Sequence, residues 1–471
     1  MTLSSASFLF FLLPIAVIIY FAVRPLKGKN AVLIGVSLLF YAGGSLSALI
    51  LLIISALICW GAGALIKKGK AGGPVAAISI IIFIALLCTF KYLNFFIGGL
   101  NLIPGISIAE TNLILPAGIS FFTFKEISYI ADGRRNKDNL SYNFAEVLLY
   151  VSFFPQITSG PIARFPEFLP QLRERTHSFE RAAKGARRMI AGLGKKLLIA
   201  SLCAKIADAA FSLSTGALDA RLGWLGAIAY TIQIYFDFSG YSDMAIGLGE
   251  VFGFSTPENF DYPYISASIT EFWRRWHISL STWFKDFIYI PLGGNRKGKI
   301  RQALNKAAVF LVCGLWHGAG LNFILWGAWH GLLSILETLK IINTKKIGST
   351  AAGKAFLHIY TMLAVTLGFV LFRAENLREA GMVFAAMFSR FSALSETTLA
   401  LQKIGNSSWA ALIFGIIFSM PLIPTLKKKL CPNGETRLWT ICSYIFALLL
   451  YVLCCLALAG GGFAPFIYAQ F

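Results

Sequence analysis

The sequence predicts an all-α, polytopic membrane protein, a bundle of about eleven full or partial transmembrane helices with re-entrant segments. Three observations carry that prediction. Apolar runs recur from end to end of the 471 residues, with 57% hydrophobic residues and a mean hydropathy of +0.69. Charged residues make up only 14%, where a soluble domain carries about a quarter. The basic residues gather in short loops between apolar runs: Arg24 to Lys29, Lys67 to Lys70, Arg134 to Lys137, Arg296 to Lys306, Lys340 to Lys346 and Lys427 to Lys429.

The positive-inside rule assigns those loops to the cytoplasm. With Arg24 to Lys29 inside, the N-terminus is extracytoplasmic, and two further crossings return the chain to the cytoplasm at Lys67 to Lys70. The net charge of +20 is therefore a topology signal. Spread over separate loops, it forms no single basic face, and a nucleic-acid role is excluded. The eight cysteines contain no C-x-x-C pair and no Cys/His zinc spacing. They read as small packing residues, with no metal site and no disulfide framework.

Taken in order, apolar segments 7–23, 31–44, 46–66 and 74–97 are the first helices. The run from Phe8 to Val23 lacks a basic n-region and an A-x-A site, so it reads as a retained helix, not a signal peptide. Segment 111–131 is apolar but holds Lys125 and Glu126 in succession, which predicts a helix facing protein or water and not lipid. Residues 152–178 contain four prolines and are no span; such backbone is tolerated at membrane depth only where protein or a cavity surrounds it. Residues 179–197 carry a basic face at helical spacing and predict an interfacial helix. Helices follow at 198–215 and 222–252. Residues 255–292 form a second irregular region, ending in an aromatic amphipathic segment suited to a membrane boundary. The last helices lie at 307–318, 321–339, 355–373, 408–424 and 438–459, with a more polar stretch at 374–407 that holds at most a short helix. No inverted repeat is detectable. The chain reads as one membrane domain over 1–471.

The chemistry concentrates between Phe272 and Gly331. FWRRWHISLSTWFKDFIYIPLGGNR, GLWHGAG and WGAWHG lie there, with three of the chain's five histidines, His277, His317 and His330. His317 stands eleven residues beyond Lys306. At a helical rise of about 1.5 Å per residue it sits roughly 16 Å deep, near the middle of a core about 30 Å thick. Gly318-Ala319-Gly320 then breaks the helix, so two short arms meet at mid-depth with the imidazole at the bend. A charge there costs several kcal/mol, which predicts a neutral ring available as a base. His330 lies about 140° further round a continuous helix. It shares a face with Trp326 and reads as structural. His277 falls on a face with Trp273 and Ser281 at i−4 and i+4. It is either a boundary histidine or a second polar group in the cavity of His317. Arg274 and Arg275 suit headgroups, water or donor phosphates. Asp237 and Asp243, inside an apolar helix, need partners. Structural pairing, for instance with the arginines of FWRRWH, is favoured over orienting a histidine or binding a cation.

LPAGISFFTFKEISYIAD, FFPQITSGPIARF, YFDFSGYSDMAIGLG, PENFDYPYISASITEFWRRWHISLSTWFKDFIYIPLGGNRKG and GLWHGAGLNFILWGAWHG together resemble the membrane-bound O-acyltransferases, and more closely their bacterial alginate O-acetylation branch. The resemblance runs in order through 90–340. It implies a bowl-like helical fold with a tunnel, in a bacterial inner membrane. It implies that acetyl passes from a cytoplasmic thioester, acetyl-CoA or an acyl carrier, toward hydroxyls of an extracytoplasmic polysaccharide. His317 falls on the family's essential L-W-H-G histidine and His277 on its R-W-H histidine. A separate extracytoplasmic acetyltransferase partner is implied too, beside membrane lipid. Lys125 departs from the pattern, standing where a neutral glutamine is expected. No G-x-S-x-G elbow is present, so a serine acyl-enzyme is not indicated. Two rivals are D-alanyl transfer to teichoic acid, within the same class, and transport of a lipid-linked sugar.

Overall fold

Helices account for every regular element in the computed structural model, which describes residues 1–69, 72–213, 217–390, 396–432, 434–461 and 466–467. Lys70, in one of the loops read as cytoplasmic, lies outside the described residues. Among the described residues, four helices are long and apolar enough to cross a bilayer: Leu46–Lys67, Gly72–Leu100, Ala351–Arg373 and Arg437–Ala459. Asn406–Phe418 and Leu422–Leu430 make a fifth if that pair, bent by 55°, counts as one span. The sequence predicts one helix over 408–424. Pro421 stands at the bend, where its missing N–H interrupts the hydrogen-bond ladder. The sequence expectation of about eleven full or partial spans exceeds these four or five; Phe8–Ala22 is a shorter apolar helix.

The chain forms two compact units, the first made of Met1–Met189 and Tyr241–Pro257. It contains α1 (Phe8–Ala22), α2 (Leu26–Ala42), α3 (Leu46–Lys67), α4 (Gly72–Leu100), α5 (Ile119–Arg135), α6 (Phe144–Ser152), α7 (Phe165–Arg173) and most of α8 (Phe179–Gly194). α5 starts at Gly118, whose φ is +76° and whose Cβ, if present, would lie 2.1 Å from the Ile157 carbonyl oxygen. Only glycine meets both conditions. Nearly all of α5 is buried, Lys125 and Glu126 included, so this charged helix faces protein as its composition predicts. Lys125 Nζ donates to the Tyr150 carbonyl (3.0 Å) and to Gln156 Oε1 (2.9 Å). The proline-rich stretch is irregular and buried around Phe153 to Ile157, with α7 as a short helix inside it. Arg188 of α8 pairs with Asp243 at 2.9 Å.

A polar knot ties α1 to the loop after α7. Tyr20 Oη lies 2.6 Å from His177 Nε2 and donates to the Phe252 carbonyl, and Arg175 Nε donates to Tyr20 Oη at 3.0 Å. Burial, with the positive charges of Lys29 and Arg175, pushes the His177 imidazole down to about 4.

The second unit is Ile190–Gly240 with Glu258–Ile467. Here lie α9 (Ser201–Phe211), most of α10 (Ala220–Val251), α11 (Ile269–Arg275), α12 (Ile278–Phe284), α13 (Gly298–His317), α14 (Leu321–Thr338), α15 (Thr344–Ile347) and α16 (Ala351–Arg373). α17 (Leu377–Met387), α18 (Glu396–Lys403), α19 (Asn406–Phe418), α20 (Leu422–Leu430) and α21 (Arg437–Ala459) complete it. Asp237 of α10 is structurally paired, as expected, but not with the arginines of FWRRWH. Its partner is the equally buried Lys196, and it also accepts the Ile467 N–H at 2.8 Å. A lysine one helix away reaches the carboxylate inside the unit. Arg275 is already taken by Asp261 (2.8 Å) and Glu271 (3.0 Å).

Candidate active site

α13 ends at His317 and α14 starts at Leu321, the hairpin that the glycine break predicts. Its two arms touch backbone to backbone. A Cβ on Gly314 would lie 2.4 Å from the Phe323 carbonyl oxygen, and one on Gly327 would lie 2.4 Å from that of Phe310. That close approach brings the side chains at the bend together. The His317 ring meets Trp316 at 4.7 Å, Trp326 of α14 at 5.0 Å and Phe372 of α16 at 5.0 Å between centroids. Asn322 Nδ2 donates to the Ala374 carbonyl at 2.7 Å, tying the start of α14 to the end of α16 and so fixing Phe372. The imidazole is 2% exposed, enclosed by aromatic rings.

His277 is placed differently from the sequence reading. It does not lie on a helical face with Trp273 and Ser281. It is the joint between α11 and α12, with φ +44°. Asn259 holds the joint: its carbonyl accepts the Ile278 N–H at 2.9 Å, and its Oδ1 accepts the Ser279 N–H and hydroxyl at 3.2 and 2.9 Å. The same Oδ1 lies 3.1 Å from His277 Nδ1. Non-glycine residues adopt this conformation at a cost of about 1–3 kcal/mol, sustained only where neighbours hold it. Trp316 lies 6.3 Å from the His277 ring and also touches His317, so one indole contacts both imidazoles. The structure thus brings the two sequence-predicted histidines to one aromatic cluster.

His330 shares the Trp326 face as its spacing predicts, with ring centroids 5.3 Å apart. It is fully buried between Phe272, Trp273 and Trp326.

A cavity of about 970 Å³ opens beside α11, with Arg274, Arg275, Lys285, Lys306 and Lys345 facing Asp261, Glu271 and Glu337. Glu337 also caps α11, accepting the N–H groups of Ile269 (2.7 Å) and Thr270 (2.9 Å). A carboxylate at a helix start satisfies otherwise orphaned donors. His317 is not in the cavity wall, but Phe310 is. Ring contacts lead on from Phe310 to Trp273 (5.3 Å), Trp326 (5.7 Å) and His317 (5.0 Å).

Sequence reasoning missed Asn259, Trp326 as a wall of the His317 pocket, Phe372 and Glu337. Asn259 lay in a stretch rich in turn residues, which was a signal. Phe372 and Glu337 carry none, because both act across long sequence separations. Among the described residues, no group of three or more His, Cys, Asp or Glu side chains is placed to hold a metal ion, and all eight cysteines are free thiols.

Residues 117–364 match the membrane-bound O-acyltransferase family. Along its whole length the chain is 39% identical to the whole of the "Probable alginate O-acetylase AlgI" of Pseudomonas putida. It is 35% identical to the peptidoglycan O-acetyltransferase of Helicobacter pylori, across 81% of this chain and 78% of that one. Similarity to the teichoic acid D-alanyltransferase of Bacillus subtilis is 32% identity over 47% of this chain and 58% of the relative.

Proposed function

The chain belongs to the membrane-bound O-acyltransferase family, and from that premise we propose that it moves acetyl from a cytoplasmic thioester toward hydroxyls of an extracytoplasmic polysaccharide, as in alginate-type O-acetylation. The observation that carries the reading is the placement of His317: a buried imidazole at a helix break, sharing the Trp316 indole with His277. In this mechanism His317 takes the proton of the acceptor hydroxyl. The oxygen bonds to the acyl carbon, and the carbonyl electron pair moves onto oxygen. The carbonyl re-forms, the C–S bond breaks, and the departing thiolate takes the proton from the imidazolium. Base assistance of this kind contributes about 10²–10⁴-fold. Exclusion of water by the surrounding rings protects the thioester from hydrolysis. His277 is the second polar group of the site.

The basic wall of the cavity supports entry of a phosphate-bearing donor, acetyl-CoA or an acyl carrier with its phosphopantetheine arm, because guanidinium and ammonium groups pair with phosphate. In this reading the protein crosses the bacterial inner membrane in about eleven full or partial spans around a tunnel, with its N-terminus outside. A separate extracytoplasmic acetyltransferase makes the final transfer to the polymer.

The test is His317→Ala. It is expected to abolish acetate esters on the exopolysaccharide at unchanged membrane levels, and retained acetylation rejects the base. D-alanyl transfer is the second reading, supported by the Bacillus subtilis relative, which matches a smaller part of the chain. Thioester consumption with acetyl-CoA against a D-alanyl carrier separates the two. A sugar-lipid transporter would consume neither.

A further inference from the structure

Four polar nitrogens are buried without a hydrogen-bond partner in one cluster of the second unit: Trp273 Nε1, Trp326 Nε1 and both ring nitrogens of His330. The three side chains touch one another. Ring centroids are 5.7 Å apart for Trp273 and Trp326, 5.4 Å for Trp273 and His330, and 5.3 Å for Trp326 and His330. Each such orphan costs about 1–3 kcal/mol, because the donor or acceptor has left water and met nothing in return. Native structures carry only a few per hundred residues. Four on three adjoining rings is a concentration that packing alone does not explain, since leucine or phenylalanine would fill the same space without the penalty.

Their location suggests what they wait for. Trp273 touches Phe310 in the cavity wall, and Trp326 touches His317. The cluster therefore occupies the stretch between the basic cavity and the proposed base, where the acyl carbon of a donor must stop. Each indole offers an N–H, and a neutral imidazole offers one more. We propose that Trp326, with His330 and Trp273, forms the hole that binds the thioester carbonyl oxygen and carries its negative charge in the tetrahedral intermediate. This rests on the acyl-transfer reading above. The oxygen takes up the carbonyl electron pair as the acceptor oxygen bonds to carbon, and returns it as the C–S bond breaks. Protons move only through His317. Donors fixed in a dry site and aimed at developing charge need no reorganisation, which is why one such donor is worth about 10²–10³-fold in kcat. The unmet hydrogen bonds of the resting protein are then the cost of preorganisation.

The experiment uses the full-length protein in lipid nanodiscs, with consumption of acetyl-CoA as the readout and Tm measured in parallel. Trp326→Phe removes the N–H and keeps an aromatic ring. It is expected to lower kcat by about 10²–10³-fold with the KM for acetyl-CoA nearly unchanged. Because the phenyl ring is smaller, a second variant carries benzothienylalanine at position 326, which keeps the bicyclic shape and replaces the N–H by sulfur. It is expected to show the same loss of kcat with a Tm equal to or above that of the parent, since a buried orphan has been removed. A packing role predicts the reverse, lowered Tm with kcat preserved. Parental kcat in the benzothienyl variant, alongside an inactive His317→Ala, overturns the hole and leaves the base standing. Turnover surviving in His317→Ala overturns the base and this inference with it.

Discussion

Asn259 holds His277 in a left-handed backbone conformation, its Oδ1 lying 3.1 Å from His277 Nδ1 while it accepts two hydrogen bonds from Ser279. A residue eighteen positions upstream thus does what no local preference would do, and it orients a proposed active-site imidazole in the process.

If that is the role of Asn259, Asn259→Ala is expected to reproduce most of the activity loss of His277→Ala, and the double variant to be no worse than the single ones. Residues that act as a unit couple in this way, by about 0.5–3 kcal/mol. His277→Gly is expected to be as inactive as His277→Ala but more stable, because glycine adopts φ +44° without strain. Acetyl-ester formation and Tm on the same four proteins decide it. Additive losses would mean that Asn259 and His277 act separately.

The Lys196–Asp237 pair is structural, with both side chains 2% exposed. Asp237→Asn leaves the ammonium buried and uncompensated, and a loss of about 3–5 kcal/mol is expected. Replacing both partners, Lys196→Met with Asp237→Leu, is expected to recover most of that stability and to keep acetyl transfer. Denaturation in detergent measures the first and turnover the second. An inactive but stable double variant would assign the carboxylate to the chemistry.

His177 is expected to make the protein acid-sensitive. Its imidazole is held at about 4 in the folded protein by burial and by the Lys29 and Arg175 charges, against 6.5 for the free group. As pH falls through 6.5 the unfolded chain takes up a proton that the folded one refuses until about 4. Stability from this group is therefore constant above that window and declines across it. Tm is expected to drop between those limits in the parent and to drop less in His177→Gln. Parallel profiles would remove His177 as the cause.

Much of the candidate site's geometry is legible in the sequence, for reasons that can be named. The helix break after His317 is found because three residues rich in glycine mark it. Lys125 and Glu126 are correctly read as facing protein because lipid does not accept charge. His330 and Trp326 meet because helical spacing puts them on one face. The errors have a common origin. His277 reads as helical because its neighbours at i−4 and i+4 are suitable, yet Asn259 breaks the helix there. Asp237 is structurally paired as read, but the arginines offered as possible partners are not the ones that reach it: Lys196 does, and Arg275 is already engaged. The 408–424 helix reads as continuous across Pro421, yet it bends.

By itself, the order of residues determined an all-helical membrane protein, the family to which it belongs, and the histidine at the break between α13 and α14. Hydropathy, charge and periodicity act over one or two turns, and those properties follow from them. Tertiary structure decided which rings enclose His317, which asparagine bends the chain at His277, and where nitrogens are left unmet around Trp326. Each depends on contacts between segments tens of residues apart. Such contacts are set by the packing of whole helices and not by any single one.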